Sequence, residues 1–316
     1  MIKSRRAFIV GLKGKSLTKK EILFLKRYKP WGIILFSRNI YSIDQVKNLT
    51  SHIKKIFSDN NYPIFIDQEG GRVSRLGKIL TTKNFSGSHF GNLYKKDKKN
   101  FNHHLDIYIN QISFLLRDLG ININNSPVLD LRRKISDIIV GDRAFSNNKK
   151  IVSIIGKIFI NKFHNNKIAA VIKHIPGHGL AKVDSHKKTP VVSQNLNYLL
   201  KNDFSTFKNQ KSLFAMTAHI IFKQIDKINT VTHSKKAISI IRKKIEFKNI
   251  IISDDISMKA LKLSITQNTI KAFNAGCNLV LHCNGRLSEM IKVAENSPKL
   301  DNFLVKKTLE FYKVVS

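Results

Sequence analysis

Short apolar runs of strand-like composition recur along the chain, and amphipathic segments with helical spacing lie between many of them. Strands of a parallel sheet covered by helices are buried on both faces, so they read as nearly continuous apolar sequence. The pattern therefore favours a parallel α/β sheet. Eight runs fit it: "AFIVGL" (7–12), "WGIILF" (31–36), "YPIFID" (62–67), "ININNSPVLD" (121–130), "IAAVIKH" (168–174), "SLFAMTAH" (212–219), "NIIISDD" (249–255) and "NLVLHC" (278–283).

The number of runs decides between two kinds of α/β sheet. Eight strands that alternate with helices predict a closed (β/α)8 TIM-like barrel rather than an open doubly wound sheet. The chain has 316 residues, a length at which such barrels occur as one domain. Because no Pro-, Ser- or Gly-rich linker interrupts the pattern, we expect a single catalytic domain over residues 1–316. Predicted helices include 44–57, 101–118, 149–165 and 264–274.

Composition and cysteine placement are typical of a globular protein in a reducing compartment. Hydrophobic residues make up 42% of the chain and charged residues 24%, close to ordinary globular values. Cys277 and Cys283 stand at the ends of the apolar run "CNLVLHC", which suits reduced thiols better than a disulfide framework. The apolar run at 7–12 is broken at once by "KGK", and no stretch approaches the roughly 20 apolar residues of a membrane span. We expect a soluble, cytoplasmic protein with no membrane partner.

The formal net charge of +35 invites the hypothesis of nucleic-acid binding through phosphate neutralisation. The lysines, however, are spread along the whole chain, for example in "KKDKK" (95–99) and "IRKKIEFK" (241–248), and no nucleic-acid-binding motif accompanies them. A general bias toward Lys, Asn and Ile on solvated faces explains this distribution better than a dedicated surface. We predict no specific nucleic-acid partner.

Polar, potentially reactive residues stand at the ends of several predicted strands. The carboxyl ends of barrel strands converge on one face, where the active sites of this fold are built. Residues far apart in sequence are therefore expected to share one pocket. The strand-end residues are Asp67, Asp130, Lys173, His174, Thr217, His219, Asp254 and Asp255.

The segment "FIDQEGGRVSRL" (65–76) supplies two candidate ligand-binding residues. Asp67 is an acceptor and Arg75 carries a fork of donors, so the pair is suited to hold a polar ligand. The alternative is a purely structural loop in which Glu69 pairs with Arg72 and the glycines supply unusual backbone angles.

The segment "IVGDRAFS" (139–146) places Arg143 directly after a Gly-Asp turn. A guanidinium in this position has two possible roles. It can bind a ligand at the pocket, or it can form a structural contact with the adjacent Asp142. The sequence leaves both interpretations open.

Two adjacent carboxylates end the apolar run of "IISDDISM" (251–258). Like charges at a pocket mouth cost stability unless something compensates them. Neighbouring strand residues point to opposite sides, so one of Asp254 and Asp255 faces the barrel axis as a candidate nucleophile or base. The other is then held by backbone donors or a basic partner. His219, in "FAMTAHI", is interpreted as a supporting histidine rather than a catalytic one.

The stretch "KHIPGHGLAKVDSH" (173–186) is a loop rich in histidine that follows a predicted strand. Asp184 stands two residues before His186, so its carboxylate can accept from one imidazole nitrogen and raise the basicity of the other. This spacing predicts an acid/base dyad. A metal site is the alternative, although the spacing matches no recurrent zinc motif. Its ligands would be His174, His178 and His186 with Asp184 or Asp254.

The motifs, taken in order, resemble those of a known family. That family is the bacterial β-N-acetylhexosaminidases of glycoside hydrolase family 3, cytoplasmic enzymes of cell-wall muropeptide recycling. The resemblance extends from about residue 7 to about residue 285. The motifs that carry it are "GIILFSRNI", "IDQEGGRVSRL", "NNSPVLDL", "VGDRAF", "KHIPGHG" followed by "DSH", "MTAHI", "IISDDISM" and "AGCNLVLHCN".

The resemblance implies an activity and a role for each matching residue. The implied enzyme is a (β/α)8 barrel that removes terminal non-reducing β-linked N-acetylglucosamine (GlcNAc) from muropeptide or 1,6-anhydro-N-acetylmuramic acid fragments, with retention of configuration. Asp254 is the implied nucleophile, and His186, oriented by Asp184, the implied general acid/base. We expect a monomer that takes a small sugar substrate and uses no metal or other cofactor. The implied sugar-holding residues are Asp67, Arg75, Arg143, Lys173 and His174.

Two other functions fit parts of the sequence. The first is a glycosidase of the same fold for another β-sugar, such as glucose. The Asp184–His186 dyad argues against it, since that branch of the family generally takes its acid/base from elsewhere in the chain. The second is a basic binding protein whose barrel is a relic, and the complete set of site residues argues against that.

Overall fold

Eight parallel strands close into a barrel in this computed structural model, which describes residues 2–136 and 139–316. The barrel strands are β1 (Arg6–Gly11), β2 (Pro30–Leu35), β3 (Ile64–Ile66), β4 (Ile123–Asn124), β5 (Ala169–Ile175), β7 (Phe214–Thr217), β9 (Ile250–Asp255) and β10 (Leu279–His282). Each pairs with the next in this series, and β10 pairs with β1. The predicted (β/α)8 barrel is therefore confirmed.

Helices surround the barrel, and a small parallel sheet of β6 (Val191–Val192) and β8 (Ile221–Phe222) lies outside it. The four predicted helices are present as α2, α4, α5 and α8. The α-helices are α1 (Lys19–Tyr28), α2 (Ile43–Phe57), α3 (Gly87–Lys96), α4 (Lys98–Asp118), α5 (Lys149–Asn165), α6 (Leu196–Lys201), α7 (Lys235–Lys243), α8 (Ile265–Ala275), α9 (Leu287–Glu295) and α10 (Asn302–Val315).

Local sequence accounts for where most helices begin. A side-chain oxygen just before the first turn accepts a backbone N–H that has no partner inside the helix, and this typically stabilises a helix by about 1 kcal/mol. All the α-helices in the described ranges begin this way except α9, which follows Arg286. The capping residues are Thr18, Ser42, Ser86, Asp97, Asn148, Asn195, Ser234, Ser264 and Asp301.

The predicted strand at 121–130 is much shorter in the structure. Only Ile123–Asn124 forms β4, and the rest of the run is irregular apart from one bridge between Val128 and Lys173. Pro127 has no N–H to donate to a neighbouring strand, so the regular ladder is interrupted here and only the isolated bridge follows. The chain therefore leaves the sheet early and carries Asp130 across the carboxyl end of β5.

The amino-terminal end of the barrel is closed by an apolar plug. Helix α10 packs beneath the strands and places the Phe311 ring 6.1 Å from Trp31 and 5.8 Å from Phe214, measured between ring centroids. The indole Nε1–H of Trp31 donates to the Thr308 hydroxyl at 2.8 Å, which satisfies the buried polar atom of the tryptophan. With this end filled, the carboxyl ends of the strands are left to form a pocket.

Candidate active site

A cavity of about 280 Å³ lies at the carboxyl end of the strands. The structure brings together in its wall every site residue that the family resemblance implies, although these residues come from separate parts of the chain. Such convergence is the property that makes this end of a barrel the usual place for an active site. The predicted residues in the wall are Asp67, Arg75, Arg143, Lys173, His174, Asp184, His186 and Asp254. Of the strand-end residues expected in the same pocket, four do not line it: Asp130, Thr217, His219 and Asp255.

Strand alternation explains which side chains enter the cavity. Val171 on β5 and Ile252 on β9 both belong to the apolar interior of the barrel. Residues two positions further along a strand point to the same side. Lys173 and Asp254 are therefore the next inward residues on these strands, and both line the cavity. The neighbour of Asp254, Asp255, points the other way.

The two adjacent carboxylates have separate partners. Asp254 Oδ1 accepts the backbone N–H of Asp255 at 2.7 Å. Asp255 is held outside the cavity wall by the Ser257 hydroxyl, 2.8 Å from both carboxylate oxygens, and by the Cys283 N–H at 3.2 Å. Burial alone raises the pKa of Asp254, but His219 and other nearby donors lower it below its ordinary value. Asp254 is therefore an ionised carboxylate at neutral pH, as a nucleophile must be.

Opposite charges form a buried cluster on the other side of the cavity. Lys173 Nζ lies 3.1 Å from Asp67 Oδ1 and 2.6 Å from Glu69 Oε1. Glu69 also accepts two hydrogen bonds from Arg143, through Nε and Nη2, each at 2.8 Å. Arg75 Nη2 approaches Asp67 Oδ2 at 3.4 Å. We call these five side chains the charge cluster.

The structure contains neither of the two structural ion pairs that the sequence left open as alternatives, because the two arginines have exchanged partners. Glu69 was paired with Arg72 in one alternative, and Asp142 with Arg143 in the other. Instead, Arg72 Nε lies 2.9 Å from Asp142 Oδ1, and Arg143 is held by Glu69. Glu69, which the sequence analysis did not predict as a site residue, therefore fixes the direction of the Arg143 guanidinium.

Opposite charges in the cluster stabilise one another. Burial raises the pKa of Asp67 and of Glu69, but Lys173 and the neighbouring arginines lower both below their ordinary values. Burial lowers the pKa of Lys173, but Asp67 and Glu69 raise it above its ordinary value. The cluster is consequently ionised at neutral pH and presents charged donors and acceptors of fixed orientation to a ligand.

Asp130 holds His174 and His178 in place at the pocket. Its Oδ2 lies 2.7 Å from His174 Nδ1, and its Oδ1 accepts the backbone N–H groups of His174 at 3.3 Å and His178 at 2.7 Å. Burial raises the pKa of Asp130, but these histidines lower it below its ordinary value. An ionised Asp130 holds a His174 proton on Nδ1 and fixes the orientation of the ring, so that Nε2 is directed away from Asp130.

Asp184 and His186 form the dyad that their spacing predicts. Asp184 Oδ1 lies 2.9 Å from His186 Nδ1 and accepts the His186 backbone N–H at 2.9 Å. Burial raises the pKa of Asp184, and the hydrogen bonds from His186 lower it below its ordinary value. The His186 side chain is 73% exposed. Its second nitrogen, Nε2, is thus free to exchange a proton with solvent or with a ligand.

The loop that carries the dyad is packed firmly at its base. Gly177 has a φ of 143°, and a Cβ at Gly179 would lie 2.4 Å from the Leu131 carbonyl oxygen, so both positions require glycine. Further on, the Ser185 carbonyl accepts the Ala260 N–H at 3.1 Å. These contacts hold the two ends of the loop, while the His186 side chain projects from it.

The family of the chain follows from a comparison with known proteins. Residues 10–307 match the family described as "Glycosyl hydrolase family 3 N terminal domain". The chain belongs to glycosyl hydrolase family 3. It is therefore a glycoside hydrolase.

A protein named "Beta-hexosaminidase" from Haemophilus influenzae strain Rd is 31% identical over 303 residues, which cover 92% of this chain and 85% of that protein. A "Beta-hexosaminidase" from Haemophilus ducreyi is 33% identical over 289 residues, 87% and 80% of the two chains.

Solved structures resemble this chain over nearly its whole length. NagZ from Neisseria gonorrhoeae, in complex with N-trifluoroacetyl-D-glucosamine, is 25% identical with a TM-score of 0.80, and the match covers 99% of each chain. A structure of NagZ from the same organism in complex with a zinc ion is 27% identical with a TM-score of 0.84, and covers 98% of this chain and 90% of that one.

Within this glycoside hydrolase, His219 supports the strand that carries Asp254. It is fully buried, its Nδ1 lies 2.7 Å from the Thr232 hydroxyl, and its Nε2 lies 3.0 Å from the Asp255 carbonyl oxygen. Both ring nitrogens are therefore used for structural hydrogen bonds. This agrees with the interpretation of His219 as a supporting residue.

The remaining expectations concern metals, thiols and membranes. In residues 2–136 and 139–316, no group of three or more His, Cys, Asp or Glu side chains is arranged to hold a metal ion. Cys277 and Cys283 are free thiols, as predicted. Across the same described ranges, no helix is both long enough and apolar enough to cross a membrane.

Proposed function

We propose that the protein is a retaining β-N-acetylglucosaminidase that removes terminal, non-reducing β-linked GlcNAc. The observation that carries the proposal is that an ionised, inward-facing Asp254 and the Asp184–His186 dyad line the same cavity. The names of the similar sequences from Haemophilus support the choice of sugar. We also propose that residues 1–316 act as one catalytic domain, because the cavity wall draws on strands from β3 to β10.

The proposed reaction uses two residues in two steps. Asp254 attacks the anomeric carbon while His186 donates a proton to the leaving oxygen, which gives a covalent glycosyl-enzyme. His186, now neutral, then takes a proton from water as this water attacks the same carbon. Retaining glycosidases commonly use a second carboxylate for the acid/base role. Here the histidine fills it, and Asp184 stabilises the cationic form of His186.

The charge cluster supplies the proposed binding site for the sugar. Asp67, Arg75, Arg143 and Lys173 offer donors and acceptors that are already paired and oriented before a ligand arrives. A neutral sugar can exchange some of these contacts for hydrogen bonds to its hydroxyl groups. Pre-oriented polar groups of this kind cost little reorganisation on binding. His174, whose ring is fixed by Asp130, adds a further polar group.

The proposed natural substrates are GlcNAc-containing cell-wall fragments, either muropeptides or fragments that contain 1,6-anhydro-N-acetylmuramic acid. This part of the proposal rests on the family resemblance, and the NagZ structure in complex with N-trifluoroacetyl-D-glucosamine supports the choice of sugar. A cytoplasmic location and a monomeric state remain predictions that accompany it.

A direct assay tests the activity. Purified protein is given chromogenic β-GlcNAc and β-glucoside substrates, each with and without EDTA. We expect turnover of the first substrate, little of the second, and no loss with EDTA. Preference for the glucoside would contradict the choice of sugar, and inhibition by EDTA would favour the metal interpretation of the histidines.

A further inference from the structure

His178 is a pocket residue whose side chain has no assigned role. It lines the same cavity as Asp254 and the charge cluster, and only 3% of the residue is exposed. Its Nδ1 is closed off from solvent and has no hydrogen-bond partner among the residues that the structure describes. Buried polar atoms are nearly always paired in native proteins, so an unpaired one calls for an explanation.

The loop does not need this imidazole for its own hydrogen bonds. The residue is held through its backbone, whose N–H donates to Asp130 and whose carbonyl accepts the Ala181 N–H at 3.1 Å. The ring packs edge-to-face against His174, with centroids 5.4 Å apart. The contacts therefore fix where the ring sits and leave its polar atoms unused.

The surroundings also determine the protonation state of the ring. Burial and the neighbouring His174 lower the pKa of His178 to about 4. A neutral imidazole carries one N–H, and a buried N–H without an acceptor is rarer and costlier than a buried acceptor without a donor. The proton is therefore assigned to Nε2, and the unpaired Nδ1 keeps only its lone pair.

We propose that His178 is a further substrate-binding residue, whose neutral ring donates one hydrogen bond from Nε2 to a hydroxyl oxygen of the sugar in the cavity. The inference rests on the proposed function for the identity of that sugar. A neutral donor is suited to this place, because Arg143 and Lys173 already supply cations, and another cation would disturb their balance with the carboxylates.

Deoxy sugars distinguish a substrate contact from a structural one. The kcat/KM values of the wild type and of His178→Phe are compared on an aryl β-GlcNAc and on its 3-, 4- and 6-deoxy analogues. Loss of one neutral hydrogen bond predicts about a tenfold decrease for His178→Phe on the parent substrate. On the one analogue that lacks the contacted hydroxyl, the substitution should have no such effect. An equal loss on every analogue, or no loss on the parent, overturns the proposal.

Two conservative variants test the assigned nitrogen. The side-chain amide of glutamine reaches the position of Nε2, whereas that of asparagine reaches only as far as Nδ1. His178→Gln should recover most of the lost kcat/KM and His178→Asn should not, and the reverse result contradicts the assignment. This comparison also serves if His178→Phe does not fold. His164→Phe is the matched control, because His164 is partly buried and also has its pKa lowered to about 4, but lies in α5 outside the cavity wall.

A binding measurement separates this inference from the proposed function. The affinity for free GlcNAc is measured by calorimetry for the wild type and for His178→Phe. If the wild type hydrolyses no β-GlcNAc substrate but binds GlcNAc, and the substitution weakens binding about tenfold, the proposed function fails and the inference stands. If the wild type neither hydrolyses nor binds the sugar, both are contradicted.

Discussion

The charge cluster and the Asp184–His186 dyad stand on the same cavity but are built differently. In the cluster, the side chains of Lys173 and Glu69 are 3% and 5% exposed, and each has more than one charged partner. In the dyad, His186 is 73% exposed and its Nδ1 is bonded to a single carboxylate, which is itself 34% exposed. The proposed binding groups are thus fixed within the protein, while the proposed acid/base group is exposed to solvent.

The difference fits the separate tasks proposed for the two parts. Groups that hold a sugar work best when their orientation is settled in advance, and mutual ion pairs accomplish this. A group that gives a proton to one oxygen and later takes one from water needs access to both. We therefore expect substitutions in the cluster to affect folding and binding together, and substitutions in the dyad to affect chemistry alone.

The largest expected effect is that of Asp254→Asn, which would separate chemistry from folding at the cavity wall. The amide has nearly the same shape but cannot attack the anomeric carbon, so kcat should fall by about 10⁴-fold or more. Circular dichroism and the melting temperature should remain close to those of the wild type. Ser257→Ala, which perturbs only the neighbouring Asp255, is the matched control. Substantial activity in Asp254→Asn would remove Asp254 from the nucleophile role.

His186→Ala is expected to have the next largest effect, and its size should depend on the substrate. A general acid contributes about 10²- to 10⁴-fold, mainly when the leaving oxygen is basic. The loss in kcat/KM should be large for an alkyl or simple phenyl glycoside and small for a dinitrophenyl glycoside. Lys187→Ala, an exposed neighbour on the same loop, is the control. An equal loss on all leaving groups would count against the acid role.

The contrast between buried and more exposed charges predicts a large loss of stability for one isosteric change and almost none for another. Glu69→Gln leaves Arg143 and Lys173 buried with one anion fewer, which typically costs about 3–5 kcal/mol of unfolding free energy. Asp184→Asn removes an exposed partner and should change stability by about 0.5 kcal/mol or less. Urea unfolding at pH 7 measures both. Similar stabilities for the two variants would contradict the division between the cluster and the dyad.

The effect of Glu69→Gln should also diminish in acid. A carboxyl whose pKa is lowered on folding stabilises the protein above its ordinary pKa of about 4.3 and loses this contribution as the pH falls toward its folded pKa. The difference in stability between the wild type and Glu69→Gln should therefore shrink below about pH 4. A difference that is independent of pH would mean that the Glu69 charge does not contribute.

The last expected effect is a gradual decline of stability in mild acid, caused by three histidines that are partly or fully buried. Burial is the main factor that lowers the pKa of His164, His178 and His233 to about 4. Unfolded histidines titrate near 6.5, so between about pH 6.5 and pH 4 the unfolded state binds more protons than the folded state. The free energy of unfolding therefore decreases as the pH is lowered through this range. His164→Phe should reduce this slope. An unchanged slope in that variant would contradict the assigned cause.

The inward residues of the site could be predicted because they lie on barrel strands. Alternation along these strands predicts that only one of Asp254 and Asp255 faces the barrel axis, and a two-residue period needs no knowledge of the rest of the fold. The choice of Asp254, and of Lys173 as a sugar contact, came from the family resemblance. The eightfold count of apolar runs was sufficient for the barrel itself. The end of β4 was misjudged because the run continues past Pro127, whereas the regular ladder ends at Asn124 and only an isolated bridge follows.

The supporting residues could not be predicted in the same way. Glu69 meets Arg143 across 74 positions of sequence, and Asp130 meets His174 across 44. Such contacts depend on how loops fold over the barrel mouth, which no local period records. One signal was available: the chain has only 21 acidic residues against 56 basic ones. Acidic residues near strand ends are therefore unlike the general composition of the chain.

The identity of the covalently modified residue tests the central claim most directly. The protein is incubated with a fluorinated N-acetylglucosaminyl fluoride, which forms the glycosyl-enzyme faster than water removes it, and its peptides are analysed by mass spectrometry. One added sugar on Asp254, in wild-type protein and not in Asp254→Asn, is the predicted result. Labelling of Asp255 or Asp67 instead, or release of an inverted sugar from an active enzyme without labelling, would contradict it.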